Sequence, residues 1–227
     1  MTNSDVGPFV ASELLSATVK RLLIDRIMDG QYKPGERIVE LRLAKELGTS
    51  QSPIREALRD LAAIGIVTIH SRRGARVRRP TSKELSDVSL VRSEVDALAA
   101  RIAAPAIDEH AVGMLKVAFD EMMASLEARD FMSLTQADAR FHRIIVEASA
   151  NNAIERVFDQ LEPFARTFIT LTLPNVDVRS IILEHHGIMT ALADKDPELA
   201  SARARDHQVH VSDLFRNHYV AEQIAPD

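Results

Sequence analysis

The stretch after residue 82 constrains the fold most strongly, because its apolar residues recur at helical spacing and no strand pattern interrupts them. Breaks that contain proline, Asn-Asn or Asp separate six predicted helices. They cover residues 83–104, 108–127, 130–149, 152–171, 178–193 and 196–218. Helices of this length with short connections predict an antiparallel bundle of six or seven helices, so we expect a mainly α fold.

The first 80 residues show a different order of elements. Helical patterns at 11–29, 39–47 and 51–64 are followed by β-prone runs at 66–69 and 75–78. Gly48 is placed to end the second helix, and Ser50 or Ser52 to cap the third. Three helices and a hairpin are the order of a winged helix-turn-helix. We therefore predict a winged helix-turn-helix DNA-binding domain over residues 1–80 and an all-helical domain over residues 81–227, with the boundary near Pro80.

Charge is divided unequally between these two parts. The first 80 residues hold 14 Lys and Arg against 9 Asp and Glu, a balance of +5, and the rest holds 14 against 24, a balance of −10. A basic segment joined to an acidic one suggests that only the first part meets a polyanion. Chance unevenness is the alternative that charge alone leaves open.

Composition excludes several function classes. The chain has no cysteine, which rules out disulfides, thiolate catalysis and Cys-ligated zinc. Tryptophan is absent and aromatic residues are 4%, which argues against platforms that stack bases or sugars. No apolar run is long enough to span a membrane, and the polar N-terminus does not resemble a signal segment. We therefore expect a cytoplasmic protein with no membrane partner.

The third predicted helix carries polar groups suited to DNA. Its apolar residues share one face, whereas Gln51, Arg55 and Arg59 recur at every fourth position on the other side. Amide and guanidinium groups near a helix N-terminus suit base edges and phosphates. Basic residues in or beside the hairpin would lie against the DNA backbone or the minor groove. These are Arg72, Arg73, Arg76, Arg78 and Arg79. A solvated face is the alternative for the helix alone, but the combination favours a DNA reader.

Four short segments of this part resemble the GntR family of bacterial transcription regulators. They are Gly-Glu-Arg-Ile-Val-Glu at 35–40, Leu-Ala-Lys-Glu-Leu-Gly-Thr-Ser at 43–50, Pro-Ile-Arg-Glu-Ala-Leu at 53–58 and Arg-Gly-Ala at 73–75. The resemblance implies operator contacts from the start of the third helix and from the wing. Our candidate DNA-binding residues are Arg42, Ser50, Gln51, Ser52, Arg55, Arg59, Arg72, Arg73 and Gly74. Gln51 stands where the family commonly has arginine. Because glutamine prefers adenine and arginine prefers guanine, Gln51 favours adenine at the base that it contacts.

Polar residues on apolar stripes of the helical part suggest a metal site. Asp138 and His142 are four residues apart on the inner side of the predicted helix 130–149. His185 and His207 lie in the apolar stripes of the last two helices. Three imidazoles and one carboxylate suit zinc or another borderline divalent metal and leave positions for water or a ligand. Ordinary buried polar residues are the alternative.

The same part of the chain resembles the effector domain of the FadR subfamily of GntR regulators. The resemblance rests on Arg-Ser-Glu-Val-Asp at 92–96, Asp138 to His142, Glu184-His185, and Ala204 to His207. In that subfamily, domains with this Asp/His/His/His pattern hold a metal in a helical bundle. The resemblance therefore implies that Asp138, His142, His185 and His207 are metal ligands, and that a small carboxylate completes the coordination.

Arg92 is the candidate effector-binding residue. It lies near the stripe that we expect to face the core. That stripe consists of Val88, Val95, Leu98, Ala99 and Ile102. A guanidinium in a pocket can bind a carboxylate through two hydrogen bonds. An internal salt bridge to Glu94, Asp96 or a more distant acid is the alternative. Arg166 is a weaker second candidate.

These patterns together predict a regulator that binds double-stranded operator DNA as a homodimer, because one recognition helix reads too few base pairs for useful specificity. A divalent metal, zinc before nickel or manganese, and a small carboxylate effector would modulate operator affinity. A metal-dependent hydrolase and a regulator with a purely structural metal remain the alternatives.

Overall fold

The computed structural model describes residues 8–70, 74–169 and 176–219, and the chain divides into two compact units, Met1–Arg79 and Pro80–Asp227. Within the described residues the helices are α1 Pro8–Met28, α2 Glu40–Glu46, α3 Gln51–Ala63, α4 Ser82–Ala103, α5 Glu109–Ala128, α6 Phe131–Ala148, α7 Asn152–Ile169, α8 Val178–Ala193 and α9 Pro197–His218. The strands are β1 Arg37–Ile38, β2 Val67–His70 and β3 Gly74–Val77. The predicted mainly α fold is confirmed.

The first unit is a winged helix-turn-helix. Its apolar core joins α1 to α3 through buried side chains such as Leu23, Ile27, Leu58 and Leu61. The three strands form an antiparallel sheet in the order β1-β3-β2. The sequence did not predict β1, a two-residue strand that exists because Arg37 and Ile38 pair with β3.

The second unit is the six-helix bundle α4–α9, and its helix starts are well capped. Thr81 and Glu84 form a capping box at the start of α4. Aspartates accept backbone N–H bonds at the starts of four of the other helices. They are Asp108, Asp130, Asp177 and Asp196. No helix in the described ranges is both long and apolar enough to cross a bilayer.

The inward face of α4 coincides only in part with the apolar stripe that the sequence predicted. Leu98 is 48% exposed and Ile102 37%, whereas the buried face carries small and polar side chains. These include Ser86, Ser89, Arg92, Asp96, Ala97 and Ala100. Small side chains let α4 approach α9 closely, and the Ser86 and Ser212 hydroxyls hydrogen-bond across that contact at 2.7 Å. The prediction for α4 is therefore only partly wrong: Ala99 is buried and Val95 packs against the core, whereas Leu98 and Ile102 face outward.

Candidate metal centre and nucleic-acid interface

Three helices of the bundle bring the four candidate metal ligands together. α6 supplies Asp138 and His142, which project to the same side one turn apart. α8 supplies His185 and α9 supplies His207. The three imidazoles are buried, the carboxylate is partly exposed, and one ligand atom from each residue lies within 4.8 Å of all the others.

The spacing of these ligand atoms suits one shared cation. His185 Nε2 is 3.1 Å from Asp138 Oδ1, and His142 Nε2 is 3.8 Å from the same oxygen. Ligand atoms about 2 Å from one metal ion lie about 3–4 Å apart. Neither Nε2 atom has a hydrogen-bond partner among the described residues, although both are buried. Both Nε2 atoms lie close to the Asp138 carboxylate but do not point at it. A metal ion bound by all three atoms would produce this arrangement, so these residues fit a divalent metal.

Each imidazole is oriented by an acceptor near its other nitrogen. His207 Nδ1 is 2.9 Å from Glu184 Oε2, and His142 Nδ1 is 3.5 Å from Asp96 Oδ2. His185 Nδ1 lies 3.2 Å from the carbonyl oxygen of Ile182. A carbonyl or carboxylate oxygen only accepts, so Nδ1 carries the proton and Nε2 keeps the lone pair that binds a metal.

The protonation states also favour metal binding. Burial lowers the pKa of His142 well below its ordinary value, and neighbouring cations add to this effect although Asp138 opposes it. Burial likewise lowers the pKa of His207, with help from His185. Burial raises the pKa of Asp138, but contact with His185 and the positive charge that the three imidazoles would carry when protonated outweigh it, so the net shift is downward. Neutral imidazoles and an ionised carboxylate are the forms that coordinate divalent metals.

Arg92 forms the internal salt bridge that the sequence left as an alternative. Its Nη2 donates to Asp96 Oδ2 at 3.0 Å, and Gln208 Nε2 donates to the same oxygen at 2.8 Å. Burial raises the pKa of Asp96, although Arg92 opposes the shift. Arg92 also lines a cavity of about 40 Å³ beside the four ligands, and its Nε has no hydrogen-bond partner within the described ranges. The salt bridge therefore leaves a donor available at the cavity.

The sequence-based prediction gave no site role to Glu184 or Gln208, and it named Asp96 only as one possible partner of Arg92. Glu184 holds both His207 and His210, at 2.9 and 2.6 Å. Asp96 and Gln208 connect α4 to α9 beside the candidate ligands. Glu184 is next to His185 in the chain, but nothing in the apolar periodicity of α8 marks it as the partner of a histidine on α9.

Most candidate DNA-reading residues of the first unit lie on the outward side of α3 or near its start, and Arg42 lies on α2. Arg42, Ser50, Ser52, Arg55 and Arg59 are exposed, and Gln51 is partly buried. Arg55 Nε pairs with Glu40 Oε2 at 2.7 Å, and its Nη2 donates to Gln51 Oε1 at 3.0 Å. Ser50 occupies the N-cap position without a side-chain cap bond. The guanidinium of Arg55 is thus held in position on an exposed edge.

The wing is described only in part. Arg72 and Arg73 lie outside the described residues, and Gly74 begins β3 with a φ of 79°, a left-handed conformation that favours glycine. The other three wing arginines bind backbone carbonyl oxygens: Arg76 that of Gly35, Arg78 that of Gly65 and Arg79 that of Pro34. These bonds give the three guanidinium groups a role within the fold.

Comparison with known proteins decides the family. Residues 15–77 match the family described as "Bacterial regulatory proteins, gntR family", and residues 87–210 match the FCD domain. The chain belongs to the GntR family. A relative of this GntR chain is a protein of Paenarthrobacter nicotinovorans described as a probable D-xylose utilization operon transcriptional repressor. The two are 30% identical over 85% of the length of each chain.

Further relatives agree. The Glc operon transcriptional activator of Escherichia coli is 28% identical, over 86% of this chain and 85% of that one. The solved structure of a GntR regulator from a Rhodococcus species has the same fold, with a TM-score of 0.77 and 22% identity over 90% of this chain and 99% of that one. GntR proteins with an FCD domain are DNA-binding transcription regulators and not enzymes. The metal-dependent hydrolase is therefore not supported.

Proposed function

We propose that this regulator senses a small carboxylate through a divalent metal held by Asp138, His142, His185 and His207. Zinc is the first candidate for the metal, and nickel or manganese are alternatives that the same donor set accepts. The effector carboxylate takes an open position on the metal and accepts a hydrogen bond from Arg92. Binding changes the affinity of the first unit for its operator.

The convergence of three buried imidazoles and one carboxylate on one point carries this proposal. Two of the Nε2 atoms are buried without hydrogen-bond partners among the described residues, which is costly unless a metal binds them. The adjoining cavity favours a sensing role over a purely structural metal, because a structural site is closed by its protein ligands.

The DNA-binding half of the proposal assigns the operator contacts to the start of α3, to the wing, and to the second helix through Arg42. Ser50, Gln51, Ser52, Arg55 and Arg59 contact bases and phosphates in the major groove, and Arg72, Arg73 and Gly74 contact the backbone or the minor groove. A homodimer reads two half-sites, as GntR regulators typically do.

His185→Ala tests the metal, with His186→Ala as the matched control, because His186 is its exposed neighbour on the same helix. Metal content is measured by elemental analysis of the purified full-length chain. Operator affinity is then measured with and without a panel of small carboxylates, on a duplex selected by the wild-type chain. We expect His185→Ala to lose metal and the carboxylate response, and His186→Ala to keep both.

The outcomes separate the alternatives. Full metal occupancy in the His185→Ala variant would show that the ligand set is wrong. Normal metal content in the wild-type chain with no carboxylate effect on operator affinity would indicate a structural metal. Loss of metal together with loss of the response supports the sensing role.

A further inference from the structure

The cavity beside the four metal-binding candidates restricts what kind of carboxylate can enter, and this inference rests on the sensing role proposed above. The cavity is about 40 Å³, roughly the space of three water molecules. Buried aliphatic side chains form much of its wall. They include Leu134, Val178, Ile181, Ile182 and Val211. A ligand tail that leaves the metal must therefore be short and lie against hydrocarbon.

The charges around the cavity are already paired. Arg92 is bonded to Asp96 at 3.0 Å, and Arg166 Nε lies 2.7 Å from Glu162 Oε1. Both carboxylates are buried, so each arginine has its counter-charge at short range. A divalent ion beside Asp138 leaves one positive charge, which one effector carboxylate balances. A second carboxylate would enter a poorly hydrated space without a cation of its own, which is strongly unfavourable.

Apart from the Nε atoms of Arg92 and Arg166, which have no hydrogen-bond partner in the described part of the chain, the free hydrogen-bonding capacity of the cavity is small. Thr135 donates its hydroxyl hydrogen to a carbonyl of its own helix, that of Phe131 or Met132, at 3.1 Å. Gln208 must direct Nε2 at the Asp96 carboxylate, which leaves its Oε1 as an acceptor with no partner among the described residues. That acceptor suits one donor beside the effector carboxylate. Hydroxyl groups further along a tail would face the aliphatic wall without partners.

We propose that the effector is a monocarboxylate with a short aliphatic tail, and that this cavity rejects dicarboxylates and polyhydroxylated acids. One hydroxyl next to the carboxylate is accepted, because Gln208 Oε1 can receive its hydrogen. The metal and Arg92 bind the carboxylate, and the aliphatic wall selects the tail.

Three probes that share a four-carbon 2-hydroxy acid frame test this proposal. 2-Hydroxybutanoate has an ethyl tail, malate ends in a second carboxylate, and threonate carries two further hydroxyls. Each is titrated by calorimetry into the zinc-loaded full-length chain after its metal content has been confirmed. One buried hydroxyl without a partner lowers affinity about tenfold, and an unpaired charge lowers it further. We expect 2-hydroxybutanoate to bind at least about tenfold more tightly than either other probe.

Two variants, one in the wall at Val211 and one behind it at Glu162, should change the selectivity for different probes. Val211→Thr replaces a methyl with a hydroxyl of similar size, and should narrow the gap between threonate and 2-hydroxybutanoate. Val209→Thr is the control, because Val209 is exposed on the same helix. Glu162→Gln removes the counter-charge of Arg166 and should raise the affinity for malate. Glu155→Gln is its control on α7, since the side chain of Glu155 is about half exposed.

The results distinguish this inference from the proposal on which it rests. Tighter binding of malate or threonate by the wild-type chain would overturn the inference and leave metal-based sensing intact. Equal binding of all three probes would also overturn it. If the metal-loaded chain binds none of the three, this inference fails, and metal-based sensing is then decided by the carboxylate panel described above. The wild-type series decides the question even where a variant does not fold.

Discussion

Arg92→Met should destabilise the metal-free bundle, because it leaves the Asp96 carboxylate buried without its cation. Asp96 is 4% exposed and Arg92 5%, so water cannot replace the lost partner. Removal of one member of a buried ion pair costs about 3–5 kcal/mol. Gln208 keeps its hydrogen bond to Asp96, so we expect the lower end of that range. A loss of about 3 kcal/mol corresponds to a decrease in Tm of about 6–12 °C for a domain of this size.

The assay is thermal and urea unfolding of the full-length chain in EDTA. Lys83→Met is the matched control, since Lys83 also pairs four residues ahead on α4, with Asp87, but both of those side chains are exposed. An exposed pair contributes about 0–1 kcal/mol. The double variant Arg92→Met/Asp96→Asn removes both buried charges and should recover most of the stability, with a residual loss of about 1 kcal/mol from packing.

Two results would refute this reasoning. The first is a free energy of unfolding for Arg92→Met that equals or exceeds that of Lys83→Met. The second is a double variant that is as unstable as Arg92→Met alone. Either would mean that the unpaired carboxylate of Asp96 is not the cause. If the double variant does fold, it also isolates the second role of Arg92. At equal metal occupancy, confirmed by elemental analysis, it should bind 2-hydroxybutanoate more weakly than the wild-type chain.

Three further outcomes are expected. The metal-free chain should lose about 1.4 kcal/mol of stability per pH unit for each of His142 and His207 as the pH falls below about 6.5. Burial lowers both pKa values in the folded chain, so only the unfolded imidazoles take up protons in this range. Urea unfolding at pH 7.5 and 5.5 should show the loss, and a stability that does not change with pH would contradict it. Arg55→Ala should lose specific operator binding, measured by footprinting, while its carboxylate affinity stays unchanged. Leu98→Glu should give a monomer in light scattering, because it places a charge among the exposed apolar side chains of α4, where we expect a second copy to bind. The control Leu183→Glu, at an exposed position on α8, should not change the oligomeric state.

The helices could be predicted from the sequence because their signals are local. The predicted helices at 51–64 and 178–193 depended on apolar spacing and on nearby caps and breaks. The structure has α3 at Gln51–Ala63 and α8 at Val178–Ala193. β1 had no such signal, since a two-residue strand depends on pairing with β3, nearly 40 residues further along the chain. The same local logic brought out Asp138 and His142, which are one helical turn apart.

The partners of the site could not be predicted in the same way. Periodicity shows which side of a helix is apolar but not which neighbouring helix it meets. On α4 it selected Leu98 and Ile102 as inward. Small and polar residues such as Ser89 and Ala100 carry a weak hydrophobic signal although they are fully buried. The choice between Asp96 and other acids as the partner of Arg92 likewise depended on packing that only the structure contains.

The two faces of α4 limit how an effector can reach the operator. An effector changes operator affinity only if it binds more tightly to one arrangement of the molecule than to another. α4 carries Arg92 at the cavity, with Asp96 bonded to it. The same helix exposes Val91, Leu98 and Ile102 and begins three residues after the first unit ends. A carboxylate that competes with Asp96 for Arg92 alters the charge balance on the inner face of this helix. We therefore expect the coupling between effector and operator to depend on the Arg92–Asp96 pair, and a substitution at Asp96 that leaves effector affinity intact should weaken that coupling.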